Sequence, residues 1–258
     1  MKEVFMSRQG ILDSISPDVM QTVYQCIFQG IGEDYQEAET HLGLKTHICR
    51  PFMTWDLINR NLINKFGTEN VLCSTAKRGM WEVLLLFDKE SGLLLSFMRD
   101  SRFKILQKSK RDKKPQYVEA LLLCNSELQS STAQQSFLTF EEQPEDKERL
   151  KSILNELCVN FSEPVLDAVT QHGLIVFSSK FGQVSTLDAY ILDRNWDIVM
   201  QKDWMNSLKP VISNAIETIS ETKNDKFPLQ LKSKAKERTK QKELISIKPT
   251  IDDAKDQE

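Results

Sequence analysis

Residues 81–98 read WEVLLLFDKESGLLLSFM, and this stretch decides the fold. Two apolar runs flank a charged segment, 88–92, that ends in glycine, which is the pattern of a β-hairpin with a short loop. Successive side chains of a strand point to opposite faces, and in both runs each face carries apolar side chains. We therefore expect both faces of these strands to be covered. The stretch therefore predicts a central antiparallel pair in a chain that is otherwise largely helical.

The remaining periodic segments predict helices around a sheet. Apolar residues at three- and four-residue spacing predict helices near 17–29, 54–66 and 145–160. The run 117–124, YVEALLLC, is assigned to a strand beside the hairpin, although its Ala and Leu content also suits a helix. We predict an α+β fold with a mainly antiparallel sheet covered by helices, and leave any parallel strands unplaced. The predicted strands lie near 71–75, 81–87, 93–98, 117–124, 173–177, 183–192 and 196–200.

The composition changes near residue 221. Beyond it Lys, Glu, Asp, Gln, Ser and Thr dominate, and no aromatic residue follows Phe227. Such a segment cannot bury enough apolar surface to offset the entropy of ordering it. We expect one globular domain over residues 1–221, with a helical part (1–67) and a sheet-rich part (68–221), and a disordered charged tail over residues 222–258.

The composition is that of an ordinary soluble protein. The 258 residues are 40% hydrophobic and 28% charged, with a formal net charge of -3. We see no signal-peptide pattern, and no apolar run approaches the roughly 18 residues that span a bilayer. The five cysteines are odd in number and contain no CxxC pair, which argues against a disulfide framework. We therefore expect a cytoplasmic protein that has no membrane segment, and leave its oligomeric state open.

No set of residues predicts a reaction. The chain has three histidines and lacks both GxGxxG and GxxxxGK[ST], so no nucleotide-binding loop is indicated. His41, His47 and Cys49 are close in sequence, but they lack the spacing of known metal sites and are interpreted as loop or surface residues. We predict no catalytic residue, no metal and no cofactor. The four tryptophans are predicted to be buried anchors: Trp55, Trp81, Trp196 and Trp204.

A basic run, residues 102–114, is the main candidate for a contact surface. Its seven cations stand against the single acid Asp112. Three interpretations stay open: a solvated charged segment, a surface for an acidic protein, or a nucleic-acid contact in which Phe103 or Tyr117 stacks on bases. A second basic run in the tail, 226–242, has the same alternatives. The candidate contact residues are Arg102, Lys104, Lys108, Lys110, Arg111, Lys113 and Lys114.

Three short motifs carry a family resemblance: Trp55-Asp56-Leu57, Arg78-Gly79-Met80-Trp81 and Asp203-Trp204. On these motifs the chain resembles, over residues 50–205, an uncharacterised family of small cytoplasmic proteins from low-GC bacteria and their mobile elements. The family has no known activity, so no site residue is carried over. The resemblance implies a bacterial cytoplasm and an origin in a prophage, plasmid or defence locus. It leaves the N-terminal helical part and the tail as additions of this chain.

Two functional hypotheses follow. The first is a non-enzymatic binding or regulatory protein, because a well-patterned globular chain carries no coherent set of acid, base, nucleophile or phosphate-cradling residues. The alternative is a nucleic-acid-binding protein, or a nuclease or toxin, that uses the basic segment 102–114. Both hypotheses expect a macromolecular partner, either protein or nucleic acid, and no membrane.

Overall fold

The computed structural model describes residues 10–67, 70–79, 81–108, 116–128 and 144–208. They confirm the predicted α+β class. The predicted tail lies outside these residues, and the predicted division into domain and tail stays a prediction. The helices are α1 (Pro17–Ile31), α2 (Glu33–Leu42), α3 (Arg50–Lys65), α4 (Asp100–Lys108), α5 (Tyr117–Leu121), α6 (Pro144–Leu157) and α7 (Glu163–Asp167). The strands are β1 (Val71–Arg78), β2 (Trp81–Asp88), β3 (Leu93–Arg99), β4 (Gln171–Lys180), β5 (Gln183–Leu192) and β6 (Ile198–Asp203).

The predicted hairpin is β2 and β3. Its loop is fixed by Asp88, whose carboxylate accepts hydrogen bonds from the Ser91 hydroxyl at 2.5 Å and the Ser91 backbone N–H at 3.4 Å. Gly92 closes the loop with φ of 71°, a conformation that costs glycine little. The hydrogen bonds of the loop and the two apolar strands therefore both favour the hairpin, as the sequence predicts.

The six strands follow one another across the sheet in chain order. Four of the five neighbouring pairs are antiparallel, and β3 pairs with β4 in parallel. A parallel pair needs a long crossover connection. Residues 100–170, which include α4 to α7, supply that connection. This is the parallel pair that the sequence left unplaced.

The predicted strand at 117–124 is wrong. Residues 117–121 form α5, and Leu122–Asn125 continue it as a 3-10 turn. A reciprocal capping box begins the helix, because the Gln116 side chain accepts from the backbone N–H of Glu119 while the Glu119 carboxylate accepts from that of Gln116. The apolar side chains that suggested a strand instead cover one face of the sheet, and Val118 and Leu121 are fully buried.

Several other boundaries differ from the pattern. Residues 33–42, which lie outside the predicted helices, form α2. Helix α3 begins at Arg50 rather than near Thr54, whose hydroxyl donates back to the Arg50 carbonyl at 2.7 Å. Only a 3-10 turn, Met205–Ser207, follows Trp204 within the described residues.

Helices cover both faces of the sheet, as the doubly apolar hairpin predicts. On one face Leu84, Leu86 and Leu95 pack in a core with α1 and α3. On the other face Leu85 and Phe87 pack with α5 and α6. A third apolar cluster joins α4 and α5 to the β4 and β5 part of that same face. The result is a three-layer arrangement with a central sheet.

Candidate functional site

The described part of the basic segment lies on α4. Arg102, Lys104 and Lys108 are exposed there, while Phe103 and Leu106 anchor the helix to the sheet. Lys104 pairs with Asp100 at 2.7 Å, which partly neutralises this surface. The other four predicted contact residues, Lys110, Arg111, Lys113 and Lys114, lie outside the described residues. Their contact role stays a prediction.

The histidine and cysteine residues form no metal-binding group in the described parts of the chain. His47 Nδ1 lies 2.6 Å from a Glu39 carboxylate oxygen on the surface. Within the described ranges, no three His, Cys, Asp or Glu side chains gather in a metal-binding arrangement. Burial raises the pKa of the Cys26, Cys73 and Cys124 thiols to about 11 each, so these thiols stay protonated near neutral pH.

A buried polar pair joins β3 to β4. Ser96 Oγ and His172 Nε2 share a hydrogen bond of 2.8 Å, and both residues are buried. Asn125 accepts from the His172 backbone N–H at 2.7 Å and donates to its carbonyl at 2.9 Å. Burial lowers the pKa of His172 to about 3, and His172 Nδ1 has no hydrogen-bond partner. The pair resembles part of a nucleophile–base arrangement, but its burial inside the sheet keeps substrates away.

The sheet forks between β2 and β3. The register between these strands stops at the pair Leu85–Ser96. Beyond that pair β2 still pairs with β1 as far as Trp81, and β3 still pairs with β4 as far as Arg99. The β1–β2 and β3–β4 pairs continue where the β2–β3 pair ends, and this opens a fork in the sheet. Trp81 lies on the β1–β2 branch and Arg99 on the β3–β4 branch.

Arg99 closes β3 and meets the aromatic residues below α3. Its guanidinium carbon lies 6.0 Å from the ring centroids of both Trp55 and Phe177. Those rings meet edge to face at 5.5 Å. The Nε atom of Arg99 is buried and forms no hydrogen bond. Burial, and then the positive charge of Arg50, lower the pKa of the Arg99 guanidinium, which nevertheless stays charged.

Arg50 supplies a second cation, whose charge acts on Arg99. It is exposed at the first position of α3, and its guanidinium carbon lies 4.7 Å from the Tyr35 ring centroid. The first turn of α3 contains no acid, although acids are favoured at that end of a helix. No carboxylate of the described residues pairs with Arg50 or Arg99. We call this set the arginine–aromatic cluster: Tyr35, Arg50, Trp55, Arg99 and Phe177.

An exposed aromatic stack adjoins the cluster. Phe52 is 48% exposed and Trp81 is 49% exposed. Their rings lie 4.8 Å apart and within 9° of parallel. Phe52 precedes Trp55 by three residues, so the two are neighbours on the surface of α3. The prediction that Trp81 is a buried anchor is wrong, because Trp81 begins β2 on the outer branch of the fork and packs on a side chain that is itself exposed.

Comparison with known proteins places the chain in a family. A model for a family of unknown function matches residues 12–248. The chain belongs to DUF5986. Neither the curated proteins nor the solved structures contain a match to this DUF5986 chain. The resemblance to an uncharacterised family is thus confirmed, and the match extends beyond residues 50–205 into the N-terminal helices and most of the tail. The bacterial and mobile-element origin stays a prediction.

The arginine–aromatic cluster suits a ligand with negatively charged oxygen atoms. Arginine binds phosphate and carboxylate groups with a planar set of N–H donors. In this DUF5986 chain the aromatic rings hold one guanidinium in place, and the fork leaves strand ends beside it. Neither arginine is among the predicted contact residues, although Arg50 stands just before Pro51 at the start of a helix, where a cation is unfavourable. No helix of the described residues is long and apolar enough to cross a bilayer.

Proposed function

We propose that this DUF5986 chain is a non-enzymatic binding protein, and that its arginine–aromatic cluster receives a ligand bearing negatively charged oxygen groups. The observation that carries the proposal is the Arg99 guanidinium, which lies 6.0 Å from the Trp55 and Phe177 ring centroids with its Nε atom buried and unbonded. Neither Arg99 nor Arg50 has a carboxylate partner among the described residues. Two like charges in proximity raise the free energy of the free protein. A bound anion would relieve this repulsion and bond to the Nε atom of Arg99.

The other chemistry of the described residues supports binding rather than turnover. The Ser96–His172 pair is enclosed, and the buried thiols are held in their protonated form. A nucleophile must be both accessible and activated. We therefore assign the cluster a binding role with no covalent step.

The test compares three arginine variants in binding to inorganic polyphosphate. Arg50→Gln and Arg99→Gln each remove one cluster charge and should weaken binding about tenfold, as expected for a charge-assisted hydrogen bond. Arg60→Gln is the matched control, because Arg60 lies on the same helix but pairs with Asp34 at 3.0 Å. It changes the net charge equally and should leave the affinity within about twofold.

Isothermal titration at two salt concentrations measures these affinities. Equal weakening in all three variants would mean that polyphosphate responds only to net charge, and the proposal would fail. Unchanged affinity in Arg50→Gln and Arg99→Gln would also overturn it. Higher salt should weaken binding to the unchanged protein, because polyanion binding releases counterions.

The basic segment 102–114 supports a second candidate, the nucleic-acid contact. The specific observation is that α4 follows Arg99 directly, so exposed Arg102 and Lys108 continue the basic surface away from the cluster. Changing both residues to Glu should weaken binding of a nucleic-acid probe and reduce its salt dependence. In magnesium or manganese the probe should stay intact, and its degradation would favour the nuclease alternative instead.

A further inference from the structure

We infer that the ligand of the fork is single-stranded nucleic acid, with an unpaired base stacked on the Phe52–Trp81 pair and flanking phosphates on Arg50 and Arg99. This inference rests on the proposed function and names the ligand for the same site. It joins the exposed Phe52–Trp81 stack to the two arginines of the arginine–aromatic cluster.

The Phe52–Trp81 stack offers flat aromatic faces to solvent. Two large rings lie parallel at 4.8 Å, and each keeps about half of its surface exposed. Exposed aromatic rings are the usual platform for unpaired bases, because every base offers a flat face to stack on. A duplex keeps its bases stacked inside, so the same platform would not reach them.

Trp55 links the stack to the charge of Arg99. Phe52 and Trp55 are neighbours on one helix face, and the Trp55 ring lies 6.0 Å from the Arg99 guanidinium carbon. Arg50 begins the same helix two residues before Phe52, and its charge acts on Arg99. Trp55 therefore connects the stack to Arg99, and we expect a base on the stack to bring a flanking phosphate toward the cluster.

The charge around this surface is mixed. Asp100 pairs with Lys104 and Glu39 pairs with His47, while Asp56 and Glu82 directly follow Trp55 and Trp81 in the chain. A polyanion on the stack would therefore place its phosphates toward Arg50 and Arg99, away from these two acids. An acidic protein would use the cations but gain little from flat, parallel rings, so the aromatic stack favours nucleic acid over that partner.

The experiment uses fluorescence anisotropy with the full chain and three probes that carry the same number of phosphates. The probes are an oligothymidine strand, an abasic strand with the same backbone, and a blunt duplex. We expect the oligothymidine to bind about tenfold more tightly than the abasic strand, which is the usual contribution of one stacked base. The duplex should bind no more tightly than the abasic strand.

Variants separate stacking from charge. Trp81→Ala and Phe52→Ala should each lower the affinity for oligothymidine about tenfold, to the level of the abasic strand, and leave abasic and polyphosphate binding unchanged. Trp81→Phe keeps a ring and should retain most of the affinity. Ile63→Ala is the matched control, because Ile63 is 46% exposed on the same helix. Circular dichroism and unfolding midpoints establish that each variant is folded.

The outcomes distinguish this inference from the proposed function. If oligothymidine binds no better than the abasic strand, or if Trp81→Ala and Phe52→Ala bind it normally, the inference is overturned. Arginine-dependent polyphosphate binding would still support the proposed function in that case. If Arg99→Gln binds polyphosphate normally, the proposed function fails and the inference fails with it.

Discussion

Acidification should destabilise the protein through a single buried imidazole. His172 is buried, and burial lowers its pKa to about 3, so the folded protein holds it neutral across the mildly acidic range. In the unfolded chain an ordinary histidine pKa of about 6.5 applies. The unfolded state therefore binds an extra proton below that pH, while the folded state does not.

The sign and size of the effect follow from proton linkage. The stabilisation from His172 is fully present above about pH 6.5 and is lost progressively as the pH falls toward 3. Between pH 7.5 and pH 5 the free energy of unfolding should fall by about 2 kcal/mol from this residue alone. Carboxylates contribute their own pH dependence, so the effect must be measured as a difference between variants.

Urea unfolding at both pH values, followed by tryptophan fluorescence, supplies that difference. His172→Gln removes the titrating group and should lose about 2 kcal/mol less than the unchanged protein over this pH interval. His41→Gln changes an exposed histidine and should behave like the unchanged protein. Equal losses in the unchanged protein and His172→Gln would refute the reasoning. So would an NMR titration in which the His172 ring protonates near pH 6.5 in the folded state.

Two other substitutions test the packing that surrounds the sheet. In Gly30→Ala, helix propensity would add about 1 kcal/mol of stability, but the new Cβ would lie 2.8 Å from Ile58 Cγ1 and 2.9 Å from the Ile58 backbone nitrogen. Overpacking should prevail and lower the free energy of unfolding by about 1–3 kcal/mol. The control Gln29→Ala, at an exposed position of the same helix, should change it by less than about 0.5 kcal/mol. A Gly30→Ala variant more stable than the unchanged protein would contradict the close approach of α1 and α3. Asn125→Ala should cost about 3 kcal/mol in chemical denaturation, because it leaves buried backbone groups of β4 and β5 unpaired. The control Asn160→Ala loses one exposed hydrogen bond to β1 and should cost about 1 kcal/mol or less. Equal costs for Asn125→Ala and Asn160→Ala would contradict the role of Asn125 in bonding β4 and β5.

The fold was predictable wherever local pattern and tertiary structure agree. Residues 81–98 combine an alternating strand pattern with a loop whose Asp88 and Gly92 have clear roles, so the hairpin is correct. Residues 117–124 have no such agreement. Their pattern fits a strand or a helix, and the constraint that decides is the parallel pairing of β3 with β4, which requires a crossover connection.

The candidate site could not be predicted from the sequence, for a different reason. Arg50 and Arg99 belong to distant segments, and the packing of α3 on the sheet places the Trp55 ring 6.0 Å from the Arg99 guanidinium carbon. Neither lies in a basic run, so a search for clustered charge finds residues 102–114 instead. The Ser96–His172 contact was not predictable either, because it crosses the β3–β4 pair, and no local sequence pattern specifies the register of that pair.

The single parallel pair divides the sheet into two meanders that differ in how quickly they can assemble. Strands β1 to β3 and strands β4 to β6 are each linked by short turns, which close rapidly and at small entropic cost. Zipping β3 to β4 must await the whole helical connection, residues 100–170, and is the natural kinetic bottleneck. Since Ser96 and His172 meet across that junction, a protonated imidazole would delay the final docking of two preformed halves as well as weaken the finished protein.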